Sequence, residues 1–167
     1  KIKGSVVIFD DDHFYMGGIL AEKLKTAGHE VLLVTSSGEL SPIANGTLEQ
    51  GRIQARVLEL GIELITAQSI IQFDGKHVTL ACGYTGQRKK RSCNTYIPVT
   101  SREPNESLYF NLISDSHRLE RAGIISVERI GDCAAPNIIA EAVFAGHRYA
   151  RELGANEIKV LRDRVII

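Results

Sequence analysis

The sequence contains no Cys-x-x-Cys pair. Its three cysteines, Cys82, Cys93 and Cys133, are odd in number and far apart. That spacing excludes a zinc knuckle and a dithiol redox motif, and suits free thiols in a reducing cytoplasm. An excess of either charge is missing too: 20 basic residues balance 20 acidic ones, for a formal net charge of zero. Nucleic acid and anionic membrane surfaces, which call for a basic footprint, are therefore not expected partners. No apolar run approaches the roughly 20 residues that cross a bilayer, and no basic-then-apolar signal segment opens the chain. Internal repeats and low-complexity tracts are absent. There is no initiator Met, and the first residues read as the approach to a strand, so we expect a piece of a longer protein.

What is present suits an α/β fold. Hydrophobic residues make up 44% of the 167 positions, enough for a proper core. Val6-Val7-Ile8-Phe9 is a continuous apolar run, as in a parallel strand buried on both faces. Met16, Ile19, Leu20, Leu24 and Ala27 then recur with a helical period, and Gly28 provides a stop. "EVLLVT", residues 30–35, reads as a second strand, so the first 35 residues form a βαβ unit. A second helix opens at Thr47, with Thr47 and Gln50 as a capping box and Ile53, Val57, Leu58 and Leu60 as its buried stripe. "IELIT" is a third strand.

"SIIQFDGKHVTLAC" follows, an antiparallel hairpin turning at Asp74-Gly75. The basic stretch containing "RKKR", residues 88–91, reads as a solvated hairpin loop, and "TYIPVT" as a strand with Pro98 at an edge. Residues 106–122 read as mostly helical, "GIISVERIGD" as a short strand, and "PNIIAEAVFAGHRYARELG" as a helix starting at Pro136. The predicted fold is a Rossmann-like parallel sheet flanked by helices, with an inserted antiparallel hairpin. Ligands on such sheets bind at the carboxyl ends of the strands, where Asp10, Thr35 and Asp132 fall.

The chemistry turns on "FDDDHFYMGG", in which a strand runs into Asp10, Asp11 and Asp12. A phosphorelay receiver needs a further aspartate after the third strand, where this chain has "LITAQS". A phosphohydrolase of the haloacid dehalogenase type would use Asp10 as nucleophile, Asp12 as acid/base, Thr35 or Ser36 as second motif and Asp132 as metal ligand. It also requires a lysine shortly before the Gly-Asp strand, but no lysine lies between Lys90 and Lys159. A working dinucleotide site needs G-x-G-x-x-G, so that backbone amides can approach a pyrophosphate. Three carboxylates with Phe14 and Tyr15 stand there instead, and Thr35-Ser36 ends the second strand without an acid for a ribose. The reading that accommodates these misfits is a dinucleotide-type fold whose phosphate loop has decayed. The helix N-terminus then attracts the protein's own aspartates, which cap free amides. His13 reads as a hydrogen-bonded turn residue and Cys133 as a small buried hydrophobe.

"VVIFDDDHFYMGGILAEKLKTAGHEVLLVT", "TLEQGRIQARVLELGIEL" and "RIGDCAAPNIIAEAVFAGHRYAREL" together, in this order, resemble the C-terminal region of the trimethylamine dehydrogenase and 2,4-dienoyl-CoA reductase family. The resemblance runs from about residue 5 to residue 153. It implies a long cytoplasmic parent chain whose N-terminal TIM barrel carries FMN, a [4Fe-4S] cluster and the substrate site. It implies two nucleotide-binding-type domains behind the barrel: residues 1–104 as an NAD(P)H-like domain and residues 105–167 as the returning half of a FAD-like one. Gly131, Asp132 and Cys133 would then belong to an ADP- or FAD-like site, and Asp10, Asp11, Asp12, Thr35 and Ser36 to a degenerate dinucleotide site. Some family members bind ADP and leave the NAD(P)H-like domain empty, whereas others pass hydride in from NADPH. On this basis we expect no cofactor in the chain itself, a structural role beside the barrel, and a homo-oligomeric parent. The alternative is a functional NAD(P)H-binding reductase domain.

Overall fold

In the computed structural model, residue 2 and residues 4–154 are described. Residues 155–167, the end of the expected second domain, lie outside them. The chain forms two compact units, Lys1–Ser101 and Arg102–Ile167.

The first unit is built on four parallel strands, β1 (Val6–Asp10), β2 (Val31–Thr35), β3 (Glu63–Ile65) and a last strand, Thr95–Val99, in the spatial order β3, β2, β1, last strand. All five residues of β1 are buried, which explains its unbroken apolar run. Val6 and Ile8 face one way, with Val31 and Leu33 beside them, into a core completed by helices α1 (Met16–Thr26) and α2 (Gln50–Glu59). Val7, Phe9 and Val34 face the other way, against Val78, Leu80 and Cys93. Burying each large apolar side chain stabilises the fold by about 1.5–3 kcal/mol.

The buried face of α1 is not the expected stripe. Gly17, Gly18, Ala21 and Leu24 face inward, Met16 and Leu20 are partly buried, and Ile19 is half exposed. Small residues turned to the sheet let the helix approach it closely. α2 begins at Gln50, not Thr47, and Glu49 caps it without a side-chain hydrogen bond. A short 3-10 turn, Pro42–Thr47, intervenes, and Leu48 adopts a left-handed φ of 61°. Thr47 Oγ1 donates to Ala44 O and Glu49 Oε2 instead of forming the capping box. Leu58 lies outside the buried stripe, which is centred on Val57.

The second face of the parallel sheet is covered by strands, not helices. β4 (Gln68–Phe73), β5 (His77–Cys82) and β6 (Arg88–Ser92) form an antiparallel sheet in that order, and the last parallel strand is β7. The Asp74 turn forms as expected, its Oδ1 accepting the Lys76 and His77 amides at 2.9 and 2.7 Å. The expected basic loop is strand β6, so the insertion has three strands and is not a hairpin. Topology requires the third: β3 and β7 are parallel, so the chain must return from the carboxyl end of the sheet to its amino end. A hairpin would bring it back to the end it left. β7 is the edge strand beside β1, as Pro98 suggested.

In the second unit, the stretch expected to be mostly helical forms α3 (Ser107–Ile113) and α4 (Ser116–Arg121). Asp115 separates them by capping α4, accepting the Arg118 amide at 2.9 Å. Residues 124–130 do not form the expected strand. A strand exists only through hydrogen bonds to a neighbour, and the described residues of this unit contain no other strand. A 3-10 turn, Gly131–Cys133, leads to α5 (Ile139–Glu152), which begins three residues after Pro136. No described residue from 102 onward is buried, and Ile125 is fully exposed.

Candidate functional site

β1, β2 and β7 end together, and the loop after β1 closes over them. The expected dinucleotide-site residues Asp10, Asp11, Asp12, Thr35 and Ser36 all lie there. Asp10 and Thr35 are fully buried, opposite each other in the β1–β2 register. The amides of Asp11 and Asp12 both donate to Val99 O on β7, at 2.8 and 3.1 Å. The His13 amide donates to Asp10 Oδ1 at 3.3 Å, and His13 itself takes a left-handed φ of 60°. The His13 carbonyl accepts from Ile43, which ties the loop to the 3-10 turn.

The acids therefore do less capping than expected. α1 starts only at Met16, its N-cap Tyr15 makes no side-chain cap bond, and its first turn contains no acid. Asp10 accepts from a loop amide, one turn ahead of the helix. Its carboxyl instead presses against Gly17, where an added Cβ would fall 2.6 Å from Asp10 Cγ. Asp10 Oδ2 is buried without a hydrogen-bond partner. Burial pushes its pKa up from 3.8 to about 6, although the His13 amide pulls in the opposite direction.

Asp11, His13 and Ser36 converge. Ser36 Oγ donates to Asp11 Oδ1 at 2.7 Å, and His13 Nε2 lies 3.3 Å from Ser36 Oγ and 3.5 Å from Asp11 Oδ1. His13 is thus a hydrogen-bonded turn residue, as read from the sequence. The cluster has the residue types of a nucleophilic triad but not its order. A triad places serine and aspartate on opposite ring nitrogens. Here both meet Nε2, while Nδ1 is buried without a partner. Replacing Ser36 with alanine removes one charge-assisted hydrogen bond, and we expect a loss of about 1 kcal/mol, read from a lower urea midpoint at unchanged m-value.

Among the described residues, no three His, Cys, Asp or Glu side chains come together in a way that could hold a metal ion. Asp10 is sealed from solvent, which counts against the phosphohydrolase arrangement.

This decorated strand–loop–helix site occupies a sheet whose family is identifiable. A family described as the OYE-like second alpha/beta domain matches residues 1–118. The chain belongs to this family.

Its relatives are amine oxidoreductases. The chain is 35% identical, over 89% of its length, to dimethylamine dehydrogenase of Hyphomicrobium sp. (strain x), of which the match covers 22%. Among solved structures it resembles histamine dehydrogenase from Rhizobium sp. 4-9, with a TM-score of 0.86 and 43% identity over 93% of this chain and 24% of that one. It also resembles 6-hydroxypseudooxynicotine amine oxidase from Pseudomonas geniculata N1, with a TM-score of 0.80 and 30% identity over 91% and 22% of the two chains. The chain thus spans less than a quarter of these proteins, and matches a C-terminal region of the trimethylamine dehydrogenase family.

The OYE-like domain match extends a little way into the second unit, whose expected site residues behave differently. Gly131 takes a left-handed φ of 62° and passes close to Ala142 of α5. Asp132 Oδ1 lies 3.4 Å from the Asn137 amide, a long contact just ahead of α5. Cys133 is exposed, not buried, and its thiol lies 3.1 Å from Ile130 O. No described residue of this unit forms a layer that buries the loop. A cleft of about 310 Å³ lies between this loop and α5, lined in part by Arg129, Asn137, Arg148 and Tyr149. Arg129 pairs with Glu106 and stacks over Tyr109, 4.7 Å from its centroid.

Sequence reasoning missed Gly17, the Val99 carbonyl and the strained His13. The Gly17-Gly18 pair inside a helical pattern was the available signal, because glycine within a helix needs a packing reason.

Proposed function

We propose that this chain is the nucleotide-binding-type C-terminal part of an amine-oxidising oxidoreductase, and that its own role is structural. One observation carries the reading for the first unit. The loop amides of Asp11, Asp12 and His13, placed where a phosphate would be cradled, already donate to Val99 O and Asp10 Oδ1. A pyrophosphate would have to break these bonds, face three carboxylates and displace Asp10 from Gly17. The residues therefore do not fit NAD(P)(H). The second unit supports a returning half of a FAD-like domain. Among the described residues, its expected strand has no partner and its apolar residues are not buried, as in a fold completed by further chain. Half a nucleotide site leaves most ligand contacts unmade, so ADP and FAD are not expected to bind here without the rest.

In this reading the parent carries FMN and a [4Fe-4S] cluster in a preceding barrel, where a small amine is oxidised. The present chain packs against that barrel and contributes to subunit contacts in a homo-oligomer. The similarity to dimethylamine and histamine dehydrogenases supports the substrate class.

A thermal-shift titration of the chain with ADP, NADH, NADPH and FAD tests this. A ligand at about 100 times its Kd adds about 2.7 kcal/mol of stability, a rise of about 5–11 °C for a chain of this size. We expect no resolvable shift with any of the four. A rise with NADH or NADPH would make the first unit a working hydride-donor domain, the main alternative. A rise with ADP or FAD would overturn the half-site argument for the second unit.

A further inference from the structure

Among the described residues, β6 has one neighbour. It pairs with β5 and forms the outer edge of its three-stranded sheet. All five of its residues are exposed, and four consecutive ones are cationic: Arg88, Lys89, Lys90 and Arg91. This is a concentrated patch on a chain with no net charge, 20 basic residues against 20 acidic ones. Only part of it is neutralised locally. Arg91 pairs with Glu63, and Lys90 lies close enough to Asp74 to depress its pKa, behind the larger effect of the Lys76 and His77 amides. Arg88 and Lys89 have no ion-pair partner among the described residues.

The backbone polarity of this edge follows from the ladder. Cys82 N–H donates to Gln87 O at one end, and Cys93 N–H to Lys76 O at the other. With the register Leu80↔Lys89 and Val78↔Arg91, antiparallel alternation turns the peptide groups of residues 89 and 91 toward β5. Those of Arg88, Lys90 and Ser92 face the free edge, the geometry that accepts an added strand.

We propose that the free edge of β6 docks an acidic, extended segment of a separate partner protein. The main chain supplies the pairing and the cations supply the selectivity. A second copy of this chain is disfavoured, because two such edges would set like charges opposite each other. The contact is transient in character. β6 offers no apolar side chain for a permanent interface, whereas exposed charge raises association rates more than affinity.

The test uses the full chain and a fluorescent peptide of alternating glutamate and threonine. At about 20 mM salt the peptide should bind, and at about 200 mM its affinity should fall at least roughly tenfold. Amide exchange should slow at Arg88, Lys90 and Ser92 in the complex. Lys89→Glu with Lys90→Glu should abolish binding, and the milder Lys89→Gln with Lys90→Gln should weaken it, so the inference survives a folding defect in the first pair. No binding at low salt, equal binding by the glutamine variant, or binding without protection of those amides would overturn it. So would tighter binding of a DNA duplex, which would make the edge a general polyanion contact.

Discussion

Replacing Gly17 with alanine is expected to destabilise the first unit by about 3 kcal/mol, at the upper end of the usual range for overpacking. Elsewhere in a helix the same change is favourable by about 1 kcal/mol, so the sign is diagnostic. The added Cβ would lie 2.6 Å from Asp10 Cγ, 2.7 Å from its Cβ and 2.8 Å from Oδ2. Neither partner can yield easily. Asp10 is fully buried on the central strand β1, and Gly17 sits in the first turn of α1. Removing the whole side chain should restore the substitution: in an Asp10→Gly background, Gly17→Ala should cost little or become favourable, whereas Asp10→Ala would leave the Cβ of residue 10 at 2.7 Å from the added carbon. A double-mutant cycle by urea unfolding reads this as a coupling of about 2 kcal/mol or more. A stabilised single Gly17→Ala variant would mean that the carboxyl does not occupy the helix face.

Asp10→Asn should have the second large effect, of opposite sign and dependent on pH. Burial raises the folded-state pKa of Asp10 from 3.8 to about 6, so the folded protein holds this proton more tightly than the unfolded chain. A raised carboxyl contributes its stability below the unfolded value, and that contribution disappears as pH climbs through the folded one. The loss should therefore develop between about pH 4 and 6 and then level off, reaching about 2–3 kcal/mol. Asparagine keeps an acceptor for the His13 amide but never ionises. The variant should match the parent near pH 4 and exceed it by about 2 kcal/mol near pH 7.5, with a flatter stability profile between. Urea midpoints across that range measure it. A parallel pH profile for the two proteins would remove Asp10 as the group responsible.

Much of the first unit was legible because its signals are local. The apolar run of β1, the βαβ spacing and the Asp74-Gly75 turn each follow from a few adjacent residues. The ends of β1 and β2, and hence the gathering of Asp10, Asp11, Asp12, Thr35 and Ser36, came with them. β6 was not legible, since Arg-Lys-Lys-Arg-Ser carries no apolar alternation. Its strand state comes from pairing with β5 and from the direction in which β7 must run. The opposite error at residues 124–130 has the same origin: an apolar segment with strand-like composition, but no strand beside it among the described residues of this unit. The Asp10–Gly17 contact joins two elements through side-chain packing and the lack of one, which composition and periodicity do not encode. Cys133 was misread because its residue type favours burial, whereas its surroundings supply no layer to bury it.

The three-strand return between β3 and β7 also has a kinetic consequence. β1 can meet β2 early, across a short helical crossover, but its other edge waits for residues that lie about 90 positions away, with Val6 finally opposite Thr95. The intervening meander must complete an odd number of passes before β7 can arrive in parallel. Closing so distant a contact costs loop entropy before any hydrogen bond is gained. Until then the fully buried strand β1 has an open flank, the condition in which nascent sheets pair with the wrong neighbour. The local turns at Asp74 and Gly86, which fold the meander on itself, thereby shorten the period of vulnerability for a strand they never touch.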